Sequence, residues 1–364
     1  MNKKMKIIPV FVPHIGCPND CVFCNQKRIT GMGTVSANAK YVSDIVEECV
    51  STIDKDTHTE LAFFGGSFTA IDIRVQEELL RVGKHYKDSG VIHKIRCSTR
   101  PDAINKEILE LQKKYGMDII ELGIQSLDDE VLKTSNRGHN RIHSENASRM
   151  IKENGFTLGH QIMPGLPGST LEKDIKTCLD SIEMKPDIVR IYPTLIIKET
   201  DLADMYTAGI YKPLTLVEAT CISAFMYSQY YINNIKVIRI GLQNTDSINK
   251  TEDVVAGPFH PAFRQLVEEK IYLESILLTL NNLNLKGKYI NIAADKKLIS
   301  SIAGQKKNNI NKLKDSFLIS GISFINSTDE NIIEIYDEQN KIGSFEKDSI
   351  FKNYLRRKQG GKCI

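Results

Sequence analysis

The feature that most constrains the fold is an alternation of short apolar runs with longer amphipathic stretches between residues 7 and about 245. Seven runs read as strands, at 7–12, 61–64, 94–98, 119–124, 157–163, 188–192 and 237–242. The intervening segments show helical periodicity, for example at 37–53, 74–86, 103–115, 141–154, 171–183 and 216–231. Such alternation requires a parallel sheet with right-handed crossovers. It therefore predicts an α/β fold, a complete or partial (β/α) barrel whose active site lies at the carboxyl ends of the strands.

The alternation stops near a polar stretch at residues 244–250, after which come a long helix at 262–280 and smaller elements. The sequence therefore predicts two domains, a barrel over residues 1–245 and a smaller C-terminal α+β domain over residues 246–364. No run approaches the roughly 18 apolar residues that a membrane span needs. The basic start is followed only by a short apolar run at 7–12, too short for a signal peptide. We therefore expect a cytoplasmic protein without a membrane partner.

Three of the eight cysteines, Cys17, Cys21 and Cys24, stand within eight positions directly after the first strand. In a reducing compartment such a cluster predicts metal binding rather than disulfides. Three thiolates at this spacing can hold three corners of an iron–sulfur cube and leave the fourth iron open for a substrate. The alternative is a structural zinc site, with His14 as a fourth ligand.

These cysteines and the aromatic Phe23 match the pattern Cys-x3-Cys-x-aromatic-Cys, which resembles the signature of the radical SAM superfamily. The resemblance covers about residues 5–245 and implies a partial (β/α)6 barrel. It also implies a 4Fe-4S cluster that reductively cleaves S-adenosylmethionine to a 5′-deoxyadenosyl radical. By the same resemblance, Phe23 should pack near the adenine of the cofactor.

Further candidate residues for binding S-adenosylmethionine follow the predicted strands. Gly65, Gly66 and Ser67 end the second strand, where glycine backbone can closely approach a ligand. The resemblance assigns this motif to the methionine amino group. Ser98 ends the third strand, at a position where several relatives have a glutamate.

Beyond the fourth strand, Gln125 and Arg137 are separated by one loop. An arginine can pair with a carboxylate and a glutamine can bond hydroxyl groups. The resemblance implies that Arg137 holds the methionine carboxylate and Gln125 the ribose. Gln161 stands where relatives have a ribose-binding acid. His139 and Tyr192 are equally consistent with packing and with function.

Within the superfamily, the chain most resembles the radical SAM subunit of Elongator and its bacterial stand-alone relatives. The resembling segments are residues 121–126, residues 136–139, and residues 191–197 followed by Thr200, Leu202, Tyr206, Gly209 and Tyr211. This resemblance implies modification of transfer RNA. The chain has the ordinary superfamily cysteine spacing and ends at Ile364 without room for Elongator's acetyltransferase domain. We therefore expect a different tRNA modification or a separate acyl donor. An electron donor such as flavodoxin or ferredoxin is an expected partner.

Residues 286–314 are rich in lysine and show a strand, helix, helix, strand order with a turn at 304–307. A KH module also has a β-α-α-β core with a glycine turn that clamps RNA. Lys306 and Lys307 in this turn, and Arg356 and Arg357 near the end of the chain, are therefore candidate RNA contacts. The alternative is a solvated basic surface.

Two other functions remain compatible with the sequence. One is a radical SAM enzyme that acts on a small molecule such as a tetrapyrrole, because coproporphyrinogen oxidases share a Gln-Ser followed by Arg-x-His. The other is a non-catalytic RNA-binding scaffold. The sequence identifies neither the residue that acts on the substrate, nor the atom that loses hydrogen, nor the oligomeric state.

Overall fold

The computed structural model describes residues 5–12, 20–24, 37–54, 56–242 and 253–359. The chain divides into two compact units, Met1–Leu214 with Ile235–Phe259, and Thr215–Asn234 with His260–Ile364. This division differs from the boundary predicted at 245/246. The segment 215–234 groups with the C-terminal elements, although in sequence it continues the strand–helix alternation.

The first unit is built on seven parallel strands that form one curled half-barrel sheet, in the order β1-β2-β3-β4-β5-β6-β8. Its strands are β1 (Met5–Val12), β2 (His58–Gly65), β3 (Lys94–Thr99), β4 (Ile119–Gln125), β5 (Thr157–Ile162), β6 (Ile188–Ile191) and β8 (Lys236–Ile240). A small antiparallel pair joins β7 (Ile196–Ile197) to β9 (Val254–Ala256). The predicted α/β class and partial barrel are confirmed.

Helices connect the strands of this sheet. They are α1 (Ala39–Ser51), α2 (Ile73–Asp88), α3 (Lys106–Lys114), α4 (Asp129–Thr134), α5 (Arg141–Glu153), α6 (Leu171–Glu183) and α7 (Asp201–Thr207). Each begins after an Asn, Asp or Thr whose side chain accepts a hydrogen bond from the first turn. Such caps satisfy N–H groups that have no partner inside the helix, so the sequence specifies where each helix begins.

The outer face of the sheet packs on these helices. Its strands contribute Ile8, Leu61, Ile95, Ile120 and Leu122, all fully buried, to one apolar cluster. Because side chains alternate along a strand, the residues between them point to the opposite, inner face. The carboxyl ends of the parallel strands lie at one edge, where the predicted site residues follow.

The second unit contains the helices α8 (Leu216–Ile232), α9 (Phe263–Leu280) and α12 (Ser349–Gln359). Its four-stranded sheet has the order β11-β10-β12-β13, with β10 (Tyr289–Ala294), β11 (Gly321–Asn326), β12 (Ile332–Asp337) and β13 (Asn340–Glu346). The helices α10 (Lys296–Ala303) and α11 (Asn308–Phe317) connect β10 to β11, which pair in parallel. The predicted β-α-α-β order is therefore present. Within the described residues, no helix combines the length and hydropathy that a bilayer-spanning segment requires.

Candidate active site

The cysteine loop is described from Asp20 to Cys24, and its first member, Cys17, lies outside the described residues. The backbone turns so that Cys24 N donates to Cys21 O at 2.9 Å. Cys21 is buried and Cys24 half-buried, and neither is in a disulfide. Two of the three predicted ligands therefore stand close together at the mouth of the half-barrel.

Three hydrogen bonds attach the backbone of this loop to segments that are distant in sequence. Val22 N donates to Ser135 O at 3.2 Å, and Leu202 N donates to Val22 O at 2.7 Å. The Asn136 side chain donates to Asp20 O at 2.7 Å. Asn136 belongs to one Elongator-like segment and Leu202 to another, so both segments meet at the cysteine loop.

Arg137 is buried and lies directly against the cysteine loop. Its Nη1 donates to Cys21 Sγ at 3.3 Å, and its Nη2 donates to Gly123 O at 2.6 Å. The guanidinium therefore contacts one of the predicted cluster ligands directly. The Arg137 backbone carbonyl in turn accepts from Arg100 Nη2 at 2.7 Å. These contacts show Arg137 supporting Cys21, whereas its predicted contact with the methionine carboxylate stays a prediction.

The glycine motif lies at the carboxyl end of β2, beside the strand that leads into the cysteine loop. Gly65 and Gly66 are half-buried, and Gly66 N donates to Val12 O at 3.2 Å. Ser67 is buried, and its hydroxyl accepts from Arg100 N and bonds Thr99 Oγ1, both at 2.9 Å. The Ser67 hydroxyl therefore joins the ends of β2 and β3.

Gln125 and Gln161 come together although they are far apart in sequence. Gln161 Nε2 donates to Gln125 Oε1 at 3.2 Å. Gln125 has a φ of +67°, where the pairing of β4 with β5 shifts register. A Cβ on Gly123 would stand 2.9 Å from Gln125 Nε2 and 3.2 Å from Arg137 Nη2, so only glycine leaves room for both side chains. Ser98 is half-buried on the inner face, in register with Glu121.

Phe23 is half-buried and packs with Val22 against a small apolar cluster of Ile196, Leu202 and Tyr211. This cluster belongs to the second Elongator-like segment. The ring thus helps to fix the cysteine loop, and its proposed contact with adenine stays a prediction.

A chain of buried charges on the inner face was missed by the sequence analysis. Arg96 pairs with Glu60 at 2.7 Å and with Glu121 at 2.8 Å. Glu121 also accepts from Arg190 Nε at 2.5 Å, and Arg190 Nη1 donates to the Tyr192 hydroxyl at 3.1 Å. All four charged side chains are at most 9% exposed. The available signal was a charged residue inside three of the predicted strands, Arg96, Glu121 and Arg190, whereas Glu60 stands just before the predicted second strand.

His139 is buried, and the charges of Arg137, Asp102 and Arg100 act on its ring. Burial, together with Arg137, lowers its pKa to about 3, so its ring is neutral at pH 7. Within the described residues, neither ring nitrogen of His139 makes a hydrogen bond. The nearby Ile124 backbone raises the pKa of the ring, but burial and Arg137 outweigh this effect. Burial disfavours the charge on Asp102, but hydrogen bonds from Arg100 outweigh this and lower the pKa of that carboxyl.

The turn after β5 is held by a buried carboxyl that the sequence did not single out. Asp174 accepts from Gly165 N at 2.9 Å and from the Ser169 hydroxyl at 2.7 Å. Burial raises the pKa of Asp174 to about 7 despite these bonds. The Tyr211 hydroxyl donates to Gly165 O at 2.6 Å. The turn is therefore rigid at the mouth of the half-barrel.

The residues present fit an iron–sulfur cluster held by the loop. The chemistry of two close thiols, one accepting from an arginine, is that of thiolate ligation. The described residues contain no group of three His, Cys, Asp or Glu that could hold a metal ion. The described part of the loop thus supplies two sulfur ligands, and Cys17 stays a predicted third.

The four candidate RNA contacts lie in the second unit and differ in their exposure and in their ion pairs. Lys306 and Lys307 are exposed, and both have left-handed backbone, with φ of +50° and +61°. Arg356 is also exposed, whereas Arg357 forms an ion pair with Glu274. The first three side chains are thus accessible, and Arg357 already has a partner.

Comparisons with known proteins identify the family and several relatives of the chain. A sequence model described as the radical SAM superfamily matches residues 11–180, and one described as the Radical_SAM C-terminal domain matches residues 186–272. The chain is 33% identical over 180 residues to the tRNA uridine(34) acetyltransferase of Methanocaldococcus infernus, covering 44% of this chain and 34% of that protein. It is 35% identical over 130 residues to Elongator complex protein 3 of Homo sapiens, covering 34% and 24%.

A solved structure shares the fold. The archaeal Methanocaldococcus infernus Elp3 with an N-terminus deletion matches with a TM-score of 0.57 at 22% identity, over 74% of this chain and 63% of that chain. The two relatives named above are matched over only about a third and a quarter of their own lengths.

Proposed function

Because this chain belongs to the radical SAM superfamily, whose members use a 4Fe-4S cluster and S-adenosylmethionine, we propose that it is an enzyme that modifies a nucleoside of transfer RNA. The observation that carries the proposal is the cysteine loop attached to residues 135–137, with Arg137 on the sulfur of Cys21. Cys17, Cys21 and Cys24 would hold the cluster. When bound, the cluster supplies the electron that cleaves S-adenosylmethionine and releases a 5′-deoxyadenosyl radical.

The protein's own residues would hold the cofactor and orient it. The Asn136 side chain and the Ser135 carbonyl hold the backbone of the loop, and Arg137 contacts the sulfur of Cys21. We assign the backbone of Gly65 and Gly66 to the methionine amino group. We assign Gln125 and its partner Gln161 to the ribose. The Ser67 hydroxyl is already occupied by Thr99 and Arg100, so its role is to support the glycine backbone.

Two observations support RNA as the substrate. The relatives reported above are named for tRNA uridine acetyltransferase activity or for Elongator. The second unit exposes Lys306, Lys307 and Arg356, which suits the phosphate contacts that RNA binding needs. The nature of the modification is left open, because those relatives are matched over a minor part of their length.

Cofactor cleavage tests the radical chemistry directly. The protein is purified and reconstituted under nitrogen, reduced with flavodoxin or dithionite, and assayed for iron, sulfide and 5′-deoxyadenosine. We expect about four irons per chain in the wild type and loss of both iron and product in Cys21→Ala and Cys24→Ala. Cys49→Ala, which changes a half-buried cysteine in α1, is the matched control and should behave as wild type. Iron that persists in both loop variants would contradict the proposal.

The substrate is tested by mass analysis of tRNA nucleosides from a strain that lacks the protein. We expect one modified nucleoside to disappear, to return with the wild-type protein, and to stay absent with Cys21→Ala. An unchanged set of nucleosides, combined with normal cofactor cleavage, would favour the small-molecule alternative.

A further inference from the structure

A cavity of about 260 Å³ lies wholly within the second unit and plays no part in the proposed chemistry. It is lined by residues of four helices, α8, α9, α10 and α12, and of the turn before α12. One wall is aromatic, and both lysines and carboxylates stand around it. A mixed wall of this kind is typical of a site that orients a polar ring, because polar groups facing an apolar ligand would stay unsatisfied.

The aromatic wall is preorganised by contacts between its own rings. Tyr231 stacks on Phe351 with ring centroids 3.9 Å apart, and Tyr227 meets Phe351 edge-on at 5.0 Å. The Arg264 guanidinium lies 5.4 Å from the centre of the Tyr227 ring and bonds Glu268 at 2.9 Å. The rings are therefore held in place before any ligand arrives.

The Tyr272 hydroxyl can bond a ligand in the cavity. The residue as a whole is 5% exposed, and no hydrogen bond joins its hydroxyl to another described residue. Burial, with Glu268 and the neighbouring tyrosines, raises the pKa of Tyr272, so the phenol keeps its proton and can donate. Asp348 uses Oδ1 to accept from Tyr231 at 2.5 Å, which leaves Oδ2 available to a ligand. The cavity thus offers both a donor and an acceptor.

The charges around the cavity select among ligand classes. Lys297 and Lys347 both line it. The Lys297 side chain is 79% exposed and lies 3.4 Å from Glu330, a surface pair for which a phosphate would compete. A cationic ligand is disfavoured, since both lysines would repel it and Arg264 already occupies the ring of Tyr227 and the carboxylate of Glu268. A nucleobase presents a flat ring for stacking and an edge with donors and acceptors, and its phosphate suits lysine.

We propose that this cavity binds one nucleotide, with the base against the tyrosine wall and the phosphate at Lys297 and Lys347. Tyr272 and Asp348 bond the edge of the base. The nucleotide is either free in solution or an unpaired residue of RNA, and the second source rests on the proposed function. The site then lets the second unit hold the RNA substrate at a position outside the half-barrel.

The test measures two ligands on the full-length, reconstituted protein. The four ribonucleoside monophosphates are titrated by ligand-observed NMR, and bulk tRNA is measured by filter binding at low salt. Tyr272→Phe removes one hydroxyl and Lys347→Gln one charge. Loss of a single hydrogen bond or phosphate contact should weaken binding about threefold to tenfold. The matched controls are Tyr289→Phe, at a tyrosine 51% exposed in β10, and the exposed Lys286→Gln.

The outcomes separate the cavity from the proposed function. Weaker binding of either ligand in both cavity variants, with unchanged controls, supports the site. If the wild type and both cavity variants bind tRNA equally well, and the wild type binds no mononucleotide, the site is overturned. The tRNA proposal is then left standing. Mononucleotide binding that depends on Tyr272, without tRNA binding, supports a free-nucleotide site and contradicts the tRNA proposal. No binding of either ligand overturns both.

Two further measurements test whether weaker binding comes from a damaged fold rather than from the lost contact. Thermal unfolding of each variant shows whether Tyr272→Phe has damaged the core of the second unit. Lys347→Gln changes a half-buried side chain at the rim and is expected to fold normally. Formation of 5′-deoxyadenosine without substrate should stay at the wild-type rate in both variants, because the residues assigned to that reaction lie in the first unit.

Discussion

The inner and outer faces of the half-barrel sheet are equally buried near its centre but are built from opposite chemistry. On β3 and β4, the outer face presents Ile95, Ile120 and Leu122 to the helices, each fully buried. The inner face of the same strands presents Arg96 and Glu121, 2% and 3% exposed. The outer face is stabilised by apolar burial, whereas the inner face depends on a charge network in which every member needs its partners.

This difference predicts how strongly a substitution on each face lowers the stability of the fold. Apolar contacts are individually weak and can relax around a substitution. A buried charge that loses its partner keeps its full desolvation cost, so the inner face should respond far more sharply to small chemical changes.

The largest effect should come from breaking the network at its centre. Glu121 accepts from both Arg96 and Arg190, so Glu121→Leu leaves two buried guanidinium groups short of a carboxylate. We expect a loss of about 3–5 kcal/mol in the free energy of unfolding, measured by urea unfolding under nitrogen. Glu110→Leu is the control, because this exposed carboxyl on α3 should change stability by no more than about 0.5 kcal/mol. A loss below about 1 kcal/mol for Glu121→Leu would show that the network does not stabilise the inner face.

A single added methyl group compares the two faces directly. A Cβ on Gly159 would stand 2.7 Å from Glu121 Cγ, within the network. We expect Gly159→Ala to cost about 1–3 kcal/mol in the free energy of unfolding, because Glu121 cannot move without breaking its ion pairs.

The outer-face counterpart is Gly83→Ala in α2. There the Cβ would meet the flexible ends of Leu61 and Ile95 at 3.1 and 3.3 Å. Those side chains can yield, and alanine favours the helix over glycine by about 1 kcal/mol, so stability should be nearly unchanged. Equal losses in both variants would contradict the proposed difference between the faces.

The pH dependence of stability tests whether the outer face keeps a buried imidazole uncharged. His160 lies on that face between the Ser148 and Ser181 hydroxyls, and burial lowers its pKa to about 3 from 6.5. Below about pH 6.5 the unfolded chain binds a proton that the folded chain does not, so stability falls as the pH falls. The loss from this group is at most about 1.4 kcal/mol per pH unit.

His160→Gln should remove that contribution, which is measured as a shallower fall in the free energy of unfolding between pH 7 and pH 5. The matched control is His85→Gln, which removes an exposed imidazole from the surface of α2. An identical dependence in His160→Gln and wild type would show that the imidazole is protonated within the fold.

The elements were predictable to the extent that their residues are apolar and their ends are marked. Strand β2 was predicted at 61–64 but spans His58–Gly65. Its first residues include the polar His58 and Glu60, which do not indicate a buried strand in the sequence alone. Glu60 can be buried there because it pairs with Arg96, and that partner is known only from the structure. Helix α8 was located correctly at 216–231, yet its membership of the second unit depends on packing that periodicity does not express.

The candidate site was predictable in its residues more than in its contacts. Glycines and polar groups after each strand pointed to the correct edge of the sheet, because carboxyl ends meet there. The partners could not be predicted. The Arg137 side chain contacts Cys21 from 116 positions away, and Ser67 bonds Thr99 and Arg100. Such pairs depend on which strands are neighbours and on the register between them.

The sequence by itself determined the parallel α/β architecture, the cysteine loop at its mouth and the family to which the chain belongs. These follow from local periodicity and from the spacing of a few residues, which neighbours along the chain specify. Only the tertiary structure decided the charge network, the support of Cys21 by Arg137 and the cavity of the second unit. Each of these joins residues tens of positions apart or more, and the cost of burying a charge or a hydroxyl is defined only once its surroundings are assembled.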